Sequence, residues 1–542
     1  MSKIGAYLQE HISGEVSLSR DVRESVSRDS SVLKLRPEMV IYPKHTNDIR
    51  KVARFSWQLA ERGHILPITA RGLGGDVTGA AIGTGIVLSF PAHMDRIFEY
   101  DPKQRLVRLQ PGVLAGTLNS ALGLNGLRIP SLPDMNCTVA GAIANNSRSS
   151  LSGKYGAIGE WVDRLEVVLA NGEVIQTSRI NKKELNRRKG LGTLEGEIYR
   201  TLDSLIEDNQ EAINNLAERE IGTNTGYSSI ASVKRRDGSF DITPLIVGSQ
   251  GTLGIISEII LKAEQVASGL SVVIAAFSDE EAARDAAELI VGRENPTFLE
   301  SYDSQVFEQA AMLGKNYSFL QETNFEVKSV LLIGYDDIHE RVRAKHTKKT
   351  LKLLDSVGAW STSGQDADAE DLLSMRDAMV WTASHDRVEF GAPSPLGHAY
   401  IPPEGVSVFR AGVKTLSKKH DIKLPVLGQE VQNLYYVWAG LNLKKSGDKQ
   451  KMFALLDDYT RLIQKVNGEL VGVDGEGRLK SRFALGTFDD SALKLFSDIK
   501  TIFDSYKILN PGVKEMLEIK QLAPMIQADN AFPSLPNYIP SI

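Results

Sequence analysis

Ten residues, RGLGGDVTGA (71–80), set four glycines, one arginine and one threonine between two apolar runs. Glycine takes positive φ without penalty and lets successive N–H groups converge on an anion with no side chain in the way. The stretch reads as a phosphate cradle, with a tight ligand-free turn as the alternative. A Walker A loop is excluded, because Gly79 is followed by Ala80 and not by lysine. A Rossmann fingerprint needs a strand before and a helix after its glycines. HILPITA (64–70) supplies the strand, but GTGIVLSF (83–90) downstream is a second β-rich run. The loop therefore joins strand to strand. Any anion it holds is held by bare amides, with Arg71 and Thr78 assisting, and not by a helix dipole.

The elements around the loop follow from periodicity. MVIYPKHTNDIRKVARFSWQLAERG (39–63) starts as a strand, turns at Pro43 and continues as a helix N-capped by Thr46. Ile49, Val52, Ala53, Ser56, Leu59 and Ala60 share one stripe, and Gly63 is the stop. With HILPITA this is a β-α-β unit that delivers the chain into the loop. RIFEY and RLVRLQPG are strands joined by a DPKQ turn, a helix is expected at 114–124, and RLEVVLANGEVIQTS is a hairpin turned at Asn171-Gly172. LIVGSQGTLGIISEIILKAEQ closes this mixed region near Val266.

From Leu270 strands and helices alternate, with helices expected at 279–291, 339–357, 406–420 and 449–466. The pattern suggests an elaborated ferredoxin-like α+β domain. The division read from the sequence is a polar helical leader (1–35), a first α+β region (36–266), a second (267–490), and closing helices with an extended tail (491–542).

At 542 residues the chain exceeds one ordinary core. A formal net charge of −5 argues against nucleic-acid binding, which calls for a basic excess. Cys137 is the only cysteine, so neither an intramolecular disulfide nor a cysteine metal cluster can form, which fits a reducing compartment. MSKIGAYLQEHISGE lacks the apolar core of a signal peptide, and no stretch has the run of apolar residues a spanning helix needs. A cytoplasmic location is expected, with peripheral membrane association left open.

Four segments in order, ARGLGGDVTGA, PDMNCTVAGAIANNSRSSLSGKYG, VGSQGTLGIISE and ILNPG, resemble the FAD-linked oxidase family of the vanillyl-alcohol oxidase type, in its D-lactate dehydrogenase and glycolate oxidase D-subunit branch. The resemblance is strong over 36–266 and weaker onward to Gly512. It implies an α+β FAD-binding domain of two subdomains with a cap domain over the flavin. The glycine loop, with Arg71, Gly72, Gly74, Gly75, Asp76, Thr78 and Gly79, is then expected to wrap the FAD diphosphate. By the same matching Pro133, Asp134, Met135, Thr138, Gly141, Asn145, Lys154 and Gly156 are expected in the cofactor cleft. Ile255 and Ile256 resemble a backbone segment pairing with the adenine or ribityl portion, and Asn510 an asparagine returning to the flavin edge. The loop has no histidine, so FAD is expected to be non-covalent. Cys137 is read as packing.

The branch carries a divalent metal near the flavin. Here Gln429 and Tyr436 stand where its two histidines are expected, Val473 where its glutamate is, and Asp474 at the adjoining histidine. No catalytic metal is expected, since valine cannot coordinate and Gln and Tyr alone make a poor divalent site. The base that takes the hydroxyl proton must come from elsewhere: Asp474 is preferred, with Tyr436 and Glu476 as alternatives. Arg376 matches a helix arginine that grips the substrate carboxylate. His385 and His398 are read as structural.

The function these residues suggest is oxidation of a small hydroxy-bearing molecule, by default a 2-hydroxy acid such as D-lactate or glycolate, by hydride transfer to flavin N5. The alternatives are a metal-independent alcohol, sugar or lactone oxidase and a degenerate flavin-binding electron-relay subunit. No nicotinamide fingerprint supports an NAD(P)H reductase. The electron acceptor stays open between oxygen, quinone, cytochrome and a flavoprotein, and so does the choice of monomer or dimer.

Overall fold

Apolar residues in the first part of the chain fall into two sheets with separate cores. The computed structural model describes residues 3–133, 136–219, 224–267, 269–365, 367–386 and 393–527. By contacts the chain forms two units, the first built from Met1–Ser147, Ala157–Glu264 and Val473–Gln527, the second from Arg148–Gly156 and Gln265–Gly472.

In the first unit, Met39–Tyr42 and Ile68–Arg71 both run parallel to Ile86–Ser89, and Glu15–Ser17 adds an antiparallel edge. The crossover between the first two is the helix Thr46–Glu61, whose buried face is Asp48, Ile49, Val52, Ala53, Ser56 and Ala60. Leu59 of the expected stripe lies at its edge, half-buried. Gly63 ends the turn after the helix at φ 81°, a value few other residues accept. A second, antiparallel sheet has the order Ile97–Asp101, Leu106–Leu109, Ile255–Lys262, Val162–Val168, Val174–Thr177. Its hairpin turns at Gly172 (φ 83°) as Asn-Gly foretold.

The segment 1–35 is not a leader outside this fold. Leu8, Val32 and Leu33 are each 1% exposed, and Glu15–Ser17 is a strand of the sheet. Val32 and Lys34 exchange backbone bonds with Gln527 and Met525. Polar residues made this stretch look solvated, and most of them are exposed or half-buried, but Ser27, Asp29, Ser30 and Ser31 are buried. At the other end, the short helix Ile519–Leu522 is followed by a single turn at Ala523–Met525, where extended chain was expected, and 528–542 lies outside the described residues.

The second unit holds a seven-stranded antiparallel sheet in the order Trp360–Gln365, Ser271–Phe277, Ser329–Tyr335, Phe298–Asp303, Val426–Gln429, Leu434–Val437, Gly397–Tyr400. The first four, with helices Glu280–Glu294 and Glu340–Ser356, make the βαββαβ unit expected from the sequence. The last three widen it. The chain leaves this unit at Gly472, earlier than the boundary near 490 read from the sequence, because the turn from Val473 is hydrogen-bonded into the first unit. The excursion Arg148–Gly156 also belongs to the second unit.

Candidate cofactor site

The loop between the parallel strands Ile68–Arg71 and Ile86–Ser89 is organised by a carboxylate from within. Asp76 Oδ1 accepts from the amides of Thr78 and Ala80, both at 2.8 Å, and from the Thr78 hydroxyl at 2.9 Å. Those two amides are thereby committed. The amides of Leu73, Gly74, Gly75, Asp76 and Val77 meet no acceptor among the described residues. Gly74 has φ 79°, and a Cβ there would lie 2.1 Å from Nη2 of the buried Arg71. Arg71 also donates to the Ala81 carbonyl at 3.0 Å, which fixes its cation under the loop.

Three other segments close on this loop. At Gly72 a Cβ would fall 2.2 Å from Thr138 Oγ1, so only glycine lets the loop meet the N-terminus of the helix Val139–Asn145. The Thr138 hydroxyl caps that helix by accepting from Gly141 N, and at its far end Asn145 Nδ2 donates to Asp76 Oδ2 at 3.1 Å. Gln250, held at φ 53°, donates to Asn145 Oδ1 at 3.0 Å and accepts from Gly477 N at 2.9 Å. The Thr78 carbonyl accepts from the amides of Arg478 and Leu479. The structure thus assembles Arg71, Gly72, Gly74, Gly75, Asp76, Thr78, Gly79, Thr138, Gly141, Asn145 and Asn510 around one loop.

The roles differ from those expected in several places. Thr78 is fully buried and bonded to Asp76, so it shapes the loop rather than facing an anion. Asn510 has every hydrogen-bonding valence filled: Oδ1 accepts from Thr69 and Arg478, and Nδ2 donates to the Ala80 and Gln250 carbonyls. It is a clamp between chain segments, with no donor left for a flavin edge. Ile255 and Ile256 pair with Val168 and Val167, and their side chains enter different cores. Burying each stabilises by about 1.5–3 kcal/mol, which explains their apolar character. Lys154 lies in the second unit, its ammonium 2.7 Å from Asp336, and Gly156 ends the same excursion. Pro133 is half-buried, and Asp134 and Met135 lie outside the described residues. Cys137 packs against the larger core.

The turn 474–480 separates the candidate bases. Glu476 is fully buried, accepts from Gly226 N at 2.8 Å and pairs with the equally buried Lys514 at 2.9 Å, which removes it as a base. Asp474 is partly exposed and has no hydrogen-bond donor among the described residues. Desolvation first, then the nearby Asp76, pushes its carboxyl up to about 6, while Lys480 pulls it down. The ammonium of the buried Lys480 has no hydrogen-bond partner among the described residues, and burial brings it down to about 8.

In the second unit Tyr436 is a buried residue of Leu434–Val437, its ring 4.9 Å from that of His398. Gln429 accepts from Gln432 at 3.0 Å. Arg376 is committed to Glu300, with Nε 3.0 Å from Oε2 and Nη2 on Oε1, so its fork holds an internal carboxylate. His385 stacks on Trp381. Among the described residues no three His, Cys, Asp or Glu side chains gather as a metal site would require.

Sequence reasoning missed Gln250, Lys480 and Arg478. Gln250 had a signal, since it sits in the VGSQGTLG motif between residues suited to a tight loop. Lys480 and Arg478, in GRLKSR, look like any solvated cations.

Residues 37–178 match the FAD binding domain and residues 268–513 the C-terminal domain of FAD linked oxidases. The chain belongs to the FAD-linked oxidase family. Its cofactor is FAD, and the unpaired amides, the glycine at each close approach and the buried Arg71 fit the diphosphate of that dinucleotide. The chain is 26% identical over 530 residues to D-2-hydroxyglutarate dehydrogenase of Escherichia coli, covering 93% of this chain and 50% of that protein. It thus spans about half the length of that relative. Glycolate oxidase subunit GlcD of Bacillus subtilis is 24% identical, covering 88% of both chains. D-lactate dehydrogenase of Anaerostipes hadrus is 22% identical, covering 92% and 94%. The structure of 4-ethylphenol oxidase from Gulosibacter chungangensis superposes with a TM-score of 0.67 at 14% identity, over 95% of this chain and 97% of that one, which shows a shared fold. No helix among the described residues is long and apolar enough to cross a membrane.

Proposed function

We propose that this protein is an FAD-dependent oxidoreductase that oxidises a small 2-hydroxy acid, with Asp474 accepting the hydroxyl proton and no metal taking part. The observation that carries the reading is Asp474 itself: a carboxyl near the flavin cradle, without a protein donor among the described residues, that titrates at about 6. A base of that pKa is ionised at neutral pH and still basic enough to draw a proton as the adjoining C–H bond breaks. The bound flavin supplies the hydride acceptor. Lys480 opposes the negative charge of Asp76 and Asp474 and keeps the base in its ionised form. The names of the relatives support D-2-hydroxyglutarate, glycolate and D-lactate as the acids to try first.

Val473 is an apolar, buried residue and Gln429 is bonded to Gln432, which supports the metal-free reading. The test is anaerobic reduction of the bound flavin by these three acids, by polyols and by simple alcohols. An acid should bleach the flavin, chelator dialysis should leave the rate unchanged, and Asp474→Asn should slow it by about 100-fold or more with FAD still bound. Bleaching by polyols alone would favour an alcohol or sugar oxidase, and bleaching by none an electron-relay subunit. A D474N variant reduced at the wild-type rate would remove Asp474 from the mechanism.

A further inference from the structure

Upstream of the matched FAD-binding domain, residues 27–35 form a tight buried turn. Leu35 N bonds to the Ser27 carbonyl at 2.9 Å, Arg28 and Lys34 face each other in a bridge, and Leu33 pairs with Ile526 on the other side. The tip, Asp29 to Leu33, is polar over three of its five residues, yet each is at most 4% exposed. Burial of so many polar groups is costly unless they are placed by specific partners, and the partners here are the glycine loop. Asp29 Oδ2 accepts from Ala81 N at 3.3 Å, Ser30 Oγ donates to the Gly74 carbonyl at 3.4 Å, and a Cβ on Gly79 would lie 2.7 Å from Leu33 Cδ1. Asp29 Oδ1 closes the turn on itself through Ser31 N and Oγ.

We propose that this turn is part of the cofactor site: it holds the glycine loop in its amide-presenting shape, and the Asp29 carboxyl, packed against that loop, couples FAD affinity to pH. The turn grips at the Gly74 carbonyl, within the run of unpaired amides, and at the Ala81 amide beyond it. The charged groups facing Asp29 are Asp76 of the loop, Arg71 at its start and Arg478 of the turn packed on it. Burial, then Asp76, raises the Asp29 carboxyl to about 7, with Ser31 and Arg71 opposing. Below that pH the group is neutral. Above it a second negative charge stands beside Asp76, close to where a negatively charged diphosphate must bind, so affinity falls as pH rises. If FAD raises the Asp29 pKa by one unit, the acid and alkaline plateaus of affinity differ about tenfold.

The experiment is FAD titration of the flavin-stripped full chain from pH 5.5 to 8.5, for the wild type, Asp29→Asn and Leu33→Ala. The wild type should bind several-fold more weakly at the alkaline end. D29N should lose most of that slope. L33A, which loosens the grip on Gly79 but leaves the carboxyl, should bind several-fold more weakly at every pH with the slope retained. Should D29N not fold, the wild-type slope and L33A decide. A flat wild-type profile, or D29N and L33A curves that superimpose on the wild type, would overturn the proposal. Failure of the wild type to bind FAD at any pH would instead overturn the cofactor assignment itself.

Discussion

Replacing Lys480 by methionine removes a buried cation while keeping most of its apolar stem. Lys480 is the one group that lowers the Asp474 pKa, against desolvation and Asp76, which raise it to about 6. Opposite charges a few ångströms beyond ion-pair contact interact by about 2 kcal/mol at an effective dielectric near 20. Partial exposure of Asp474 cuts this to about 1 kcal/mol, or roughly 0.7 of a pKa unit. The sign follows directly. A base works when ionised, so the rate of flavin reduction should rise through pH 6 in the wild type and through about 6.5–7 in K480M. Burial brings the Lys480 ammonium down to about 8; Asp474 is ionised there with or without that cation, so the rate should stay level from about pH 8 to 9 in both proteins. The assay is stopped-flow reduction under anaerobic conditions across pH 5 to 9 with FAD saturating. An acid limb that stays in place, or moves down, would refute the coupling.

Gly72→Ala drives a methyl into Thr138 and should destabilise the protein by about 1–3 kcal/mol while weakening FAD binding, read by thermal melting and flavin titration. Glu476→Gln leaves Lys514 buried without its carboxylate and should cost about 3–5 kcal/mol in denaturant melts. Where enough of it folds, its pH–rate profile should match the wild type, since Glu476 is not the base. Arg376→Met strands the buried Glu300 and should be destabilising by a similar amount, with no change in FAD affinity. A large rise in substrate KM without loss of stability would return Arg376 to the substrate.

What could be read from the sequence was local. The stripe of the helix Thr46–Glu61, the Asn171-Gly172 hairpin and the strand-loop-strand setting of the glycines depend on neighbours a few residues away, and the structure reproduces them. The site was harder because its polar residues take their meaning from distant partners. Gln250 joins Asn145 to Gly477, and Asn510 joins Ala80 to Arg478. Glu300, which claims Arg376, sits on the strand Phe298–Asp303, far from Arg376 in sequence. Asp29 and Lys480 look like surface charges in sequence, and only packing shows that both are buried. Motif position singled out both the glycine loop, whose amides at 73–77 meet no acceptor among the described residues, and Asn510, whose amide is saturated by other chain segments.

The claim on which the rest depends is that the amides of 73–77, shaped by Gly74 over Arg71, hold the diphosphate of FAD. Titrating flavin-stripped protein and its Gly74→Ala variant with FAD tests it most directly. In that variant a side chain is forced to a φ of 79° and against the Arg71 guanidinium. The strain, about 1–3 kcal/mol, should weaken binding by about tenfold or more. The wild type should turn yellow with saturable binding and G74A should bind poorly. A wild type that stays colourless, or a G74A variant that binds FAD as well as the wild type, would contradict the account.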